Sequence, residues 1–514
     1  MALLTLALGV MAVTYAFLQV LLRFTQDAHE PPMVATAIPF VTPLLGMKKL
    51  KTTYLNYLRD KYSGPIFTLR VPFARLYVIT TPSLITAVQR QYRTLSFSPM
   101  KIHAVTKLAS PSKEAVKLLS HNLTGDEGFV PGFSKVVYPS LAGSMLDTLS
   151  QRTVNVMLAE FDKLAAQGSC TSRQFWRWTN DFITYASSEG IYGPHNPLRD
   201  SENLAAWHIY EAKQMALVTG RFPRWFASDA IKARDHLCNK YEHYFAQGWH
   251  KQGSDFIQRR YAYMSDYKIP PADIARIEVS GVFPLIGNTI PTAFWLAYHV
   301  LSSPIVLEDC RREVLQAVSE RDGVCTIDAA LIKNSCPILL STFQEVFRFH
   351  GMATSVRVAL EDHMLDGKYL IKKGGLVMIS GRVQHSSVTN WGDDVNEFRH
   401  TRFIRSPGVK RHNPVAFRGF GGGTTLCPGR HFATTEVLLF ATLLMLRFDV
   451  RLADGLKKWP MPVTNTSPHG SALDLPGDDF GVELVPRPQQ NWRVAFPKVA
   501  DDKTNFVAED IPSL

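Results

Sequence analysis

A glycine-rich loop that ends in a cysteine constrains this chain more than any other feature. Residues 420–430 read FGGGTTLCPGR, and an apolar stretch with helical periodicity follows them. Pro428 fits the first position of that helix, where a missing N–H costs nothing, so Cys427 is predicted to be the N-cap. There the backbone N–H groups and the helix dipole favour a thiolate, the form of cysteine that binds metals. The loop lacks the GKS/T ending, so it is not a phosphate loop. The thiolate predicts a metal ligand instead.

The rest of the loop suits a large flat ligand. Glycines before the cysteine let the backbone pass close to such a ligand, and Phe420 can shield the sulfur from water. A haem iron with a cysteine axial ligand needs this arrangement. The alternative is a buried structural cysteine at the start of a helix, because burial is the commonest fate of a single cysteine.

The loop resembles the haem-binding signature of the cytochrome P450 superfamily, F-x-x-G-x-[R/H]-x-C-x-G. The positions that match are Phe420, Gly423, Cys427 and Gly429. Thr425 departs from it, because the family usually has a basic residue there to pair with a haem propionate. The resemblance implies haem b, iron protoporphyrin IX, with the Cys427 thiolate as its axial ligand and therefore as the metal ligand.

Two upstream motifs strengthen the resemblance. Glu345 and Arg348 form the family's E-x-x-R, three residues apart on one face of a predicted helix. Residues 398–403 resemble F-x-P-x-R-F, with His400 in place of proline, and this motif supplies Arg402. The resemblance implies that Glu345, Arg348 and Arg402 form a buried charge network behind the haem loop, since buried charges persist only when paired. An exposed surface ion pair is the alternative for an isolated E-x-x-R.

Between these motifs, Arg357 matches a strand position from which the family commonly sends an arginine to a haem propionate. Because Thr425 cannot pair with a propionate in that way, Arg357 gains importance. A solvated arginine at a strand edge is the alternative. No partner for the second propionate is visible in the sequence.

A long helix is predicted from Pro271 to about Leu301. Pro291 kinks it and frees the carbonyl of Gly287, four residues back, where the family's oxygen-binding groove lies. Gly287 stands where most members have an acid, and Asn288 where they have an alcohol, with Thr289 beside them. The phrase resembles the branch of the sterol 7α- and 12α-hydroxylases and prostacyclin synthase. The resemblance implies catalytic roles for Gly287, Asn288 and Thr289. The alternative is a kinked core helix in which these residues have only a structural role.

The sequence predicts three segments along the chain. Residues 1–22 carry no side-chain charge and are long enough to span a bilayer, so residues 1–24 are predicted as a transmembrane anchor, with a signal peptide as the alternative. Prolines in residues 25–50 predict a stiff hinge. Residues 51–514 then form one catalytic domain, mainly α with minor β, consistent with the P450 fold. A helix and two strands are expected in 51–90, helices over most of 135–350, strands in 354–382, and the loop and an apolar helix in 419–447.

Composition excludes several other classes. With 46% hydrophobic residues the chain can bury a large core, and its net charge of +11 is scattered, so no nucleic-acid partner is expected. The six cysteines show no disulfide framework, and five are expected to be inert core thiols.

The resemblance implies a monooxygenase that uses O2 and electrons from NADPH through NADPH-cytochrome P450 reductase. Lys410, Arg411, Arg418 and Arg430 are predicted to face the reductase, with solvated surface charge as the alternative. The expected location is the endoplasmic reticulum membrane, single-pass, with the catalytic domain on the cytosolic face. The expected substrate is an apolar sterol, triterpenoid or other terpenoid, contacted by residues near 95–125, 205–225, 350–356 and 465–475. A reductase-independent isomerase or dehydratase and a non-catalytic haem sensor stay open.

Overall fold

The apolar N-terminus forms one helix, Ala2–Thr25, in this computed structural model, and Leu22 is its one buried residue. The structure describes residues 2–125, 127–168, 171–220, 223–405, 412–453, 455–464, 471–488 and 491–497. The helix has a mean hydropathy of 2.0 over its apolar window and is long enough to cross a membrane. The stretch Pro271–Leu301 also passes that test, but 72% of its window is buried, as in a core helix.

The segment predicted as a proline-rich hinge, residues 25–50, is partly helical. The helix Val41–Leu50 includes Pro43 at its third position. There the missing N–H costs nothing, because the first turn of a helix has no intrahelical acceptor for it. The residues before this helix pack along the sheet, where the Val34 N–H donates to the Thr68 carbonyl at 3.0 Å.

The body also holds the end of the N-terminal helix directly. The guanidinium groups of Arg70 and Arg75 donate to the Thr25 carbonyl at 3.2 and 2.8 Å. These bonds satisfy a carbonyl that the end of the helix leaves without an intrahelical partner. The helix is therefore joined to the first sheet through the last residue of its final turn.

Most of the body is helical, as the sequence predicts. The helices after Val41–Leu50 are Thr53–Tyr62, Pro82–Arg90, Ser98–Ala109, Lys113–Leu119, Phe129–Val137, Gly143–Ala166, Phe175–Tyr192, Ser201–Ala212, Gln214–Thr219, Pro223–Phe226, Ser228–Ala246, Asp255–Asp266, Pro271–Val282, Thr289–Leu301, Pro304–Leu315, Ala329–Ser335, Pro337–His350, Gly381–His385, Val388–Trp391 and Arg430–Arg447. A π-helical segment, Phe283–Gly287, joins Pro271–Val282 to the turn before Thr289–Leu301.

Within the described residues, the strands form three sheets and a hairpin. The five-stranded sheet has the spatial order Ile66–Val71, Ala74–Ile79, Leu376–Ser380, Thr354–Ala359 and Leu95–Ser96. The two three-stranded sheets are Phe448–Leu452, Gly481–Pro486 and Thr171–Gln174, and then Asn491–Ala495, Val324–Asp328 and Val318–Arg321; the hairpin pairs His363–Leu365 with Tyr369–Ile371. Three of these strands, Thr171–Gln174, Val318–Arg321 and Val324–Asp328, lie in the region predicted as helical, because short strands leave little periodicity.

The Thr289–Leu301 helix is the centre of the largest hydrophobic core, and every residue in it is buried. Among the helices that it packs against are Phe175–Tyr192, Pro337–His350 and Arg430–Arg447. Pro337–His350 carries the E-x-x-R motif, and Arg430–Arg447 follows the cysteine loop. The core therefore brings the predicted site segments together.

Candidate haem-thiolate site

Cys427 lies three residues before the helix that follows it. The N-cap of Arg430–Arg447 is Gly429, so the predicted N-cap at Cys427 is wrong by two residues. The Arg430 N–H and its Nη1 both donate to the Cys427 carbonyl, at 3.4 and 3.2 Å, and close a turn over Pro428. Proline fits the second position of such a turn as well as it fits the first position of a helix. The sequence pattern therefore predicts a helix start at Pro428, two residues too early.

Glycines shape the loop at three positions. Gly421 and Gly423 have left-handed φ angles of +85° and +58°, which side chains rarely adopt. A Cβ at Gly421 would lie 2.9 Å from the Thr425 carbonyl oxygen. At Gly429 a Cβ would meet only the Cys427 Sγ, at 4.0 Å. The first two glycines allow the tight backbone, and Gly429 leaves space beside the sulfur.

Cys427 differs from the other cysteines that the structure describes. Cys238, Cys310, Cys325 and Cys336 are buried, whereas Cys427 is partly exposed. Burial raises the pKa of Cys238 to about 11 and that of Cys310 and Cys336 to about 12, so these thiols stay protonated. The expectation of inert core thiols is confirmed for these four, and Cys170 lies outside the described residues.

Arg357 is buried on its strand, next to the loop. It is 1% exposed, and its Nη2 donates to the Thr425 Oγ1 at 3.3 Å. Its Nε has no hydrogen-bond partner within the described residues. Burial, and then the charge of Arg418, lower the pKa of Arg357 to about 10. Two neighbouring guanidinium groups and an unpaired buried N–H fit an anionic ligand, such as a haem carboxylate, at this place.

Glu345, Arg348 and Arg402 meet as the sequence predicts. Arg348 Nε and Nη2 donate to the Glu345 carboxylate at 2.7 and 2.8 Å, and Arg402 Nε donates to it at 3.0 Å. All three side chains are nearly fully buried. The alternative of an exposed ion pair is therefore excluded.

The network has a fourth charged member that the sequence did not reveal. Asp394 accepts a hydrogen bond from Arg402 Nη1 at 2.8 Å, and it also pairs with Arg399. Hydrogen bonds from Arg402 and Arg399 lower the pKa of Asp394 to about 2. Arg348 also donates to the carbonyls of Val395 and Glu397, at 2.6 and 2.9 Å. The network thus ties the Pro337–His350 helix to the segment that leads to the loop.

Phe420 connects the loop to the same helix. Its ring lies 4.7 Å from the ring of Phe347, measured between centroids, and packs on the largest core cluster. Phe347 stands between Glu345 and Arg348 in the sequence. The start of the loop is thus held against the helix that carries the charge network.

The predicted kinked helix is present, but the distortion spans more than one proline. The π-helical segment Phe283–Gly287 contains Pro284, and Pro291 lies one turn beyond Gly287. A proline cannot donate to the carbonyl four residues back, so Pro291 cannot close a bond to Gly287. The Asn288 carbonyl accepts from Thr292 Oγ1 at 2.8 Å.

Gly287 faces a cavity of about 1110 Å³. Ile290 lines it as well, whereas Asn288 and Thr289 are not among the described residues that line it. Every predicted pocket segment contributes to the cavity, although residues 465–470 lie outside the described residues. Two wall segments, 129–138 and 176–181, were not predicted. The walls are mainly apolar and come from parts of residues 97–108, 129–138, 176–181, 208–218 and 277–290, and from residues 260, 354, 356, 471 and 475.

The predicted basic surface for a reductase needs a correction. Arg418 is only 6% exposed, and its N–H donates to His385 Nε2 at 2.8 Å, so it cannot face a partner protein. Its guanidinium lies against the glycine loop, 2.6 Å from where a Cβ at Gly422 would stand. Arg430 is partly buried, and Lys410 and Arg411 lie outside the described residues.

These features define a haem-thiolate site: an accessible cysteine in a tight glycine loop, an unsatisfied buried arginine beside it, and a large apolar cavity across a kinked helix. The comparisons agree. The family model for cytochrome P450 matches residues 229–472, which include the kinked helix, the E-x-x-R and Cys427.

Whole-chain relatives point to the same family. Cytochrome P450 monooxygenase nodJ of Hypoxylon pulicicidum is 29% identical over 497 residues, which are 94% of this chain and 93% of that protein. A cytochrome P450 monooxygenase of Gibberella zeae is 28% identical over 499 residues, 93% of each chain. Cholesterol 7-alpha-monooxygenase of Cricetulus griseus is 23% identical over 467 residues, 85% of this chain and 90% of that protein. The family model and these relatives support the assignment of the chain to the cytochrome P450 superfamily, as a monooxygenase, and this family uses haem bound by a cysteine thiolate.

Proposed function

We propose that this chain inserts one oxygen atom of O2 into a C–H bond of a sterol, triterpenoid or other terpenoid. The observation that carries the proposal is the apolar cavity of about 1110 Å³ that reaches Gly287. Small-molecule sites usually measure roughly 300–1,000 Å³, so this cavity suits a large, rigid hydrocarbon. One relative is, by its name, a monooxygenase that acts on cholesterol.

The residues around the loop hold the haem in this proposal. When bound, the haem supplies the activation of dioxygen and the transfer of its oxygen atom. Cys427 is the axial metal ligand, Gly423 allows the tight turn of the loop, Gly429 leaves room beside the sulfur, and Phe420 limits the access of water. Arg357 pairs with a propionate. The buried network of Glu345, Arg348 and Arg402 keeps the loop in position from behind.

The kinked helix serves proton delivery. Gly287 presents a backbone carbonyl that Pro291 leaves without its helical donor, and this carbonyl can hold a water molecule. Asn288 and Thr289 are polar groups at the same distortion and complete the group that orients water. An amide such as Asn288 positions water but does not yield a proton itself, so the proton must come from another group.

The N-terminal helix anchors the enzyme in the endoplasmic reticulum membrane as a single span, with the catalytic domain on the cytosolic face. Residues 25–50 form the connection and residues 51–514 the catalytic domain. The electrons come from NADPH through NADPH-cytochrome P450 reductase. An apolar substrate partitions into the membrane, so an anchored enzyme meets it at a high local concentration.

The test uses the full-length protein reconstituted with the reductase in lipid vesicles. The reduced protein under carbon monoxide should show the red-shifted Soret band of a thiolate-bound haem, and Cys427→Ala should abolish it. Cys238→Ala is the matched control, because that thiol is buried elsewhere in the protein. A sterol and triterpenoid extract is then incubated with and without NADPH, and products are identified by mass.

The expected product is a substrate heavier by one oxygen atom that forms only with NADPH and intact Cys427. The absence of any such product from the sterol and triterpenoid extract, with the thiolate-type band present, would contradict the proposed substrate. A product that forms without NADPH, with no added oxygen, would instead support the reductase-independent isomerase.

A further inference from the structure

Three titratable side chains line the cavity beside Gly287, and none of them was predicted from the sequence. Asp181 lies on the Phe175–Tyr192 helix, and His208 and Glu211 lie on one face of Ser201–Ala212. The Asp181 Oδ1 and the His208 Nε2 are 2.9 Å apart. The His208 Nδ1 and the Glu211 Oε2 are 3.9 Å apart, a gap that one water molecule can bridge.

Glu211 reaches the position that lacks its acid. A Cβ placed on Gly287 would lie 3.1 Å from the Glu211 Oε1. The second carboxylate oxygen of Glu211 is the one near His208, so the carboxyl group stands between His208 and Gly287. A side chain at Gly287 would also meet the Phe283 ring at 2.6 Å. The glycine therefore leaves room for a carboxylate that arrives from another helix.

The three side chains run from solvent into the protein. The exposed fraction falls from 44% for Asp181 to 31% for His208 and 17% for Glu211, and Gly287 is buried. Such a gradient is what a path for protons from water to a buried position requires. The walls of the cavity are mainly apolar, so few other polar groups adjoin these three side chains.

The charges suit proton transfer. Burial opposes the charge of His208, but the hydrogen bond to Asp181 and the nearby Glu211 carboxylate outweigh it and raise the pKa of His208 to about 9. At neutral pH the imidazole therefore carries a proton that it can pass to Glu211. Asn180 and Arg177, on the Phe175–Tyr192 helix, line the same wall of the cavity and are the other polar groups of that helix near the three side chains.

We infer that Glu211 takes the place of the acid missing at Gly287 and delivers protons to the reacting oxygen, while His208 and Asp181 reprotonate and position it. The inference rests on the proposed function. The overall reaction is RH + O2 + NADPH + H⁺ → ROH + H2O + NADP⁺. Two electrons and two protons reach the dioxygen, one oxygen atom enters the C–H bond, and the other leaves as water. Glu211 gives up each proton, regains it from His208, and His208 regains it from solvent beside Asp181.

The test compares Glu211→Gln with Glu202→Gln, an exposed glutamate on the same helix. Both are reconstituted with excess reductase, and NADPH-driven oxygen consumption is measured in H2O and D2O with cholesterol as the probe substrate. Glu211→Gln should slow consumption at least about tenfold and enlarge the solvent isotope effect, because a general acid contributes roughly 10²–10⁴-fold. Doubling the reductase should leave the slow rate unchanged. Glu211→Asp should recover part of the rate, and Glu202→Gln should match the wild type.

A second readout does not depend on turnover. Carbon monoxide bound to the reduced haem has an infrared C–O stretch that reports nearby charge. Glu211→Gln should shift this band by several wavenumbers, and Glu202→Gln should not. If Glu211→Gln fails to retain haem, Asp181→Asn decides, with a smaller slowing and the same larger isotope effect expected.

An unchanged rate, isotope effect and C–O band in Glu211→Gln would overturn the inference while the proposed function stands. A wild-type protein without the thiolate-type band would refute the proposed function and, with it, the inference. The two failures are therefore distinguishable on the same samples.

Discussion

Glu345→Ala tests whether the buried charge network holds the haem-loaded protein together. The Glu345 carboxylate is 0% exposed and accepts four hydrogen bonds: two from Arg348, one from Arg402 and one from the Arg399 N–H. Removing it leaves two guanidinium groups without their shared anion. The breaking of a buried ion pair costs about 3–5 kcal/mol, because the partner charge stays buried.

Asp394 limits the damage to one of the two arginines. Arg402 keeps the Asp394 carboxylate, but Arg348 keeps only the carbonyls of His385, Val395 and Glu397. We therefore place the loss of unfolding free energy at about 3–5 kcal/mol for Glu345→Ala, a large share of a typical total of about 5–15 kcal/mol. Asp394→Ala should cost less, because Asp394 is 27% exposed and Arg402 keeps Glu345.

The measurement is urea unfolding of the full-length, haem-loaded variants in detergent, followed by the loss of the thiolate-type carbon monoxide band. The midpoint for Glu345→Ala should fall well below that of Asp394→Ala, or the variant should fail to accumulate with haem. If Asp394→Ala is as damaging as Glu345→Ala, or if Glu345→Ala loses less than about 1 kcal/mol, the assignment of the central role to Glu345 is wrong.

Four further outcomes follow from the same structure. Deletion of residues 1–22 should release the protein from membranes in a flotation assay and leave the haem spectrum intact; a protein that stays bound would place the membrane contact on the body. Arg357→Gln should speed the loss of haem to apomyoglobin, because the haem propionate loses the buried cationic donor that Arg357 offers; an unchanged rate contradicts this. Asn288→Ala should raise the hydrogen peroxide formed per NADPH and keep the thiolate band; unchanged coupling would remove its role. Burial lowers the pKa of His350 from 6.5 to about 4, so its unfolded form gains a proton first and stability should fall as pH drops from 6.5 to 4; His350→Gln should flatten this fall in a thermal melt, and the exposed His121→Gln should not.

The sequence predicts the parts of the site that lie within short motifs. Glu345 and Arg348 are three residues apart on a helix, so helix geometry alone puts them on one face. Arg402 joins them from another segment, and only the family resemblance connects it to them. Cys427 was found from its loop, although the turn at Pro428 and the helix start were confused because proline suits both.

The group of Asp181, His208 and Glu211 could not be predicted from short motifs. Asp181 and His208 touch only because the Phe175–Tyr192 and Ser201–Ala212 helices bring them together. The spacing of His208 and Glu211 is the one local signal, and a His and a Glu three apart on a helix usually form an exposed surface pair. Their meaning depends on Gly287, which is far away in the sequence. Asp394 was missed for the same reason, since nothing local connects it to Arg402.

Buried charge is arranged differently in front of the loop and behind it. Behind the loop, the buried Arg348 and Arg402 face Glu345 and Asp394, and each buried arginine has a carboxylate partner. The exposed Arg399 pairs with Asp394 from outside this group. Beside the loop, no carboxylate within the described residues pairs with Arg357, and its charged neighbour is Arg418. A balanced network is a structural element, because burial of charge is tolerated once it is paired. A buried arginine such as Arg357, whose Nε has no partner within the described residues, has a desolvation cost that an anion can offset. The difference supports the proposal that the protein's own residues complete the charge network behind the loop, whereas Arg357 takes its negative partner from a haem propionate.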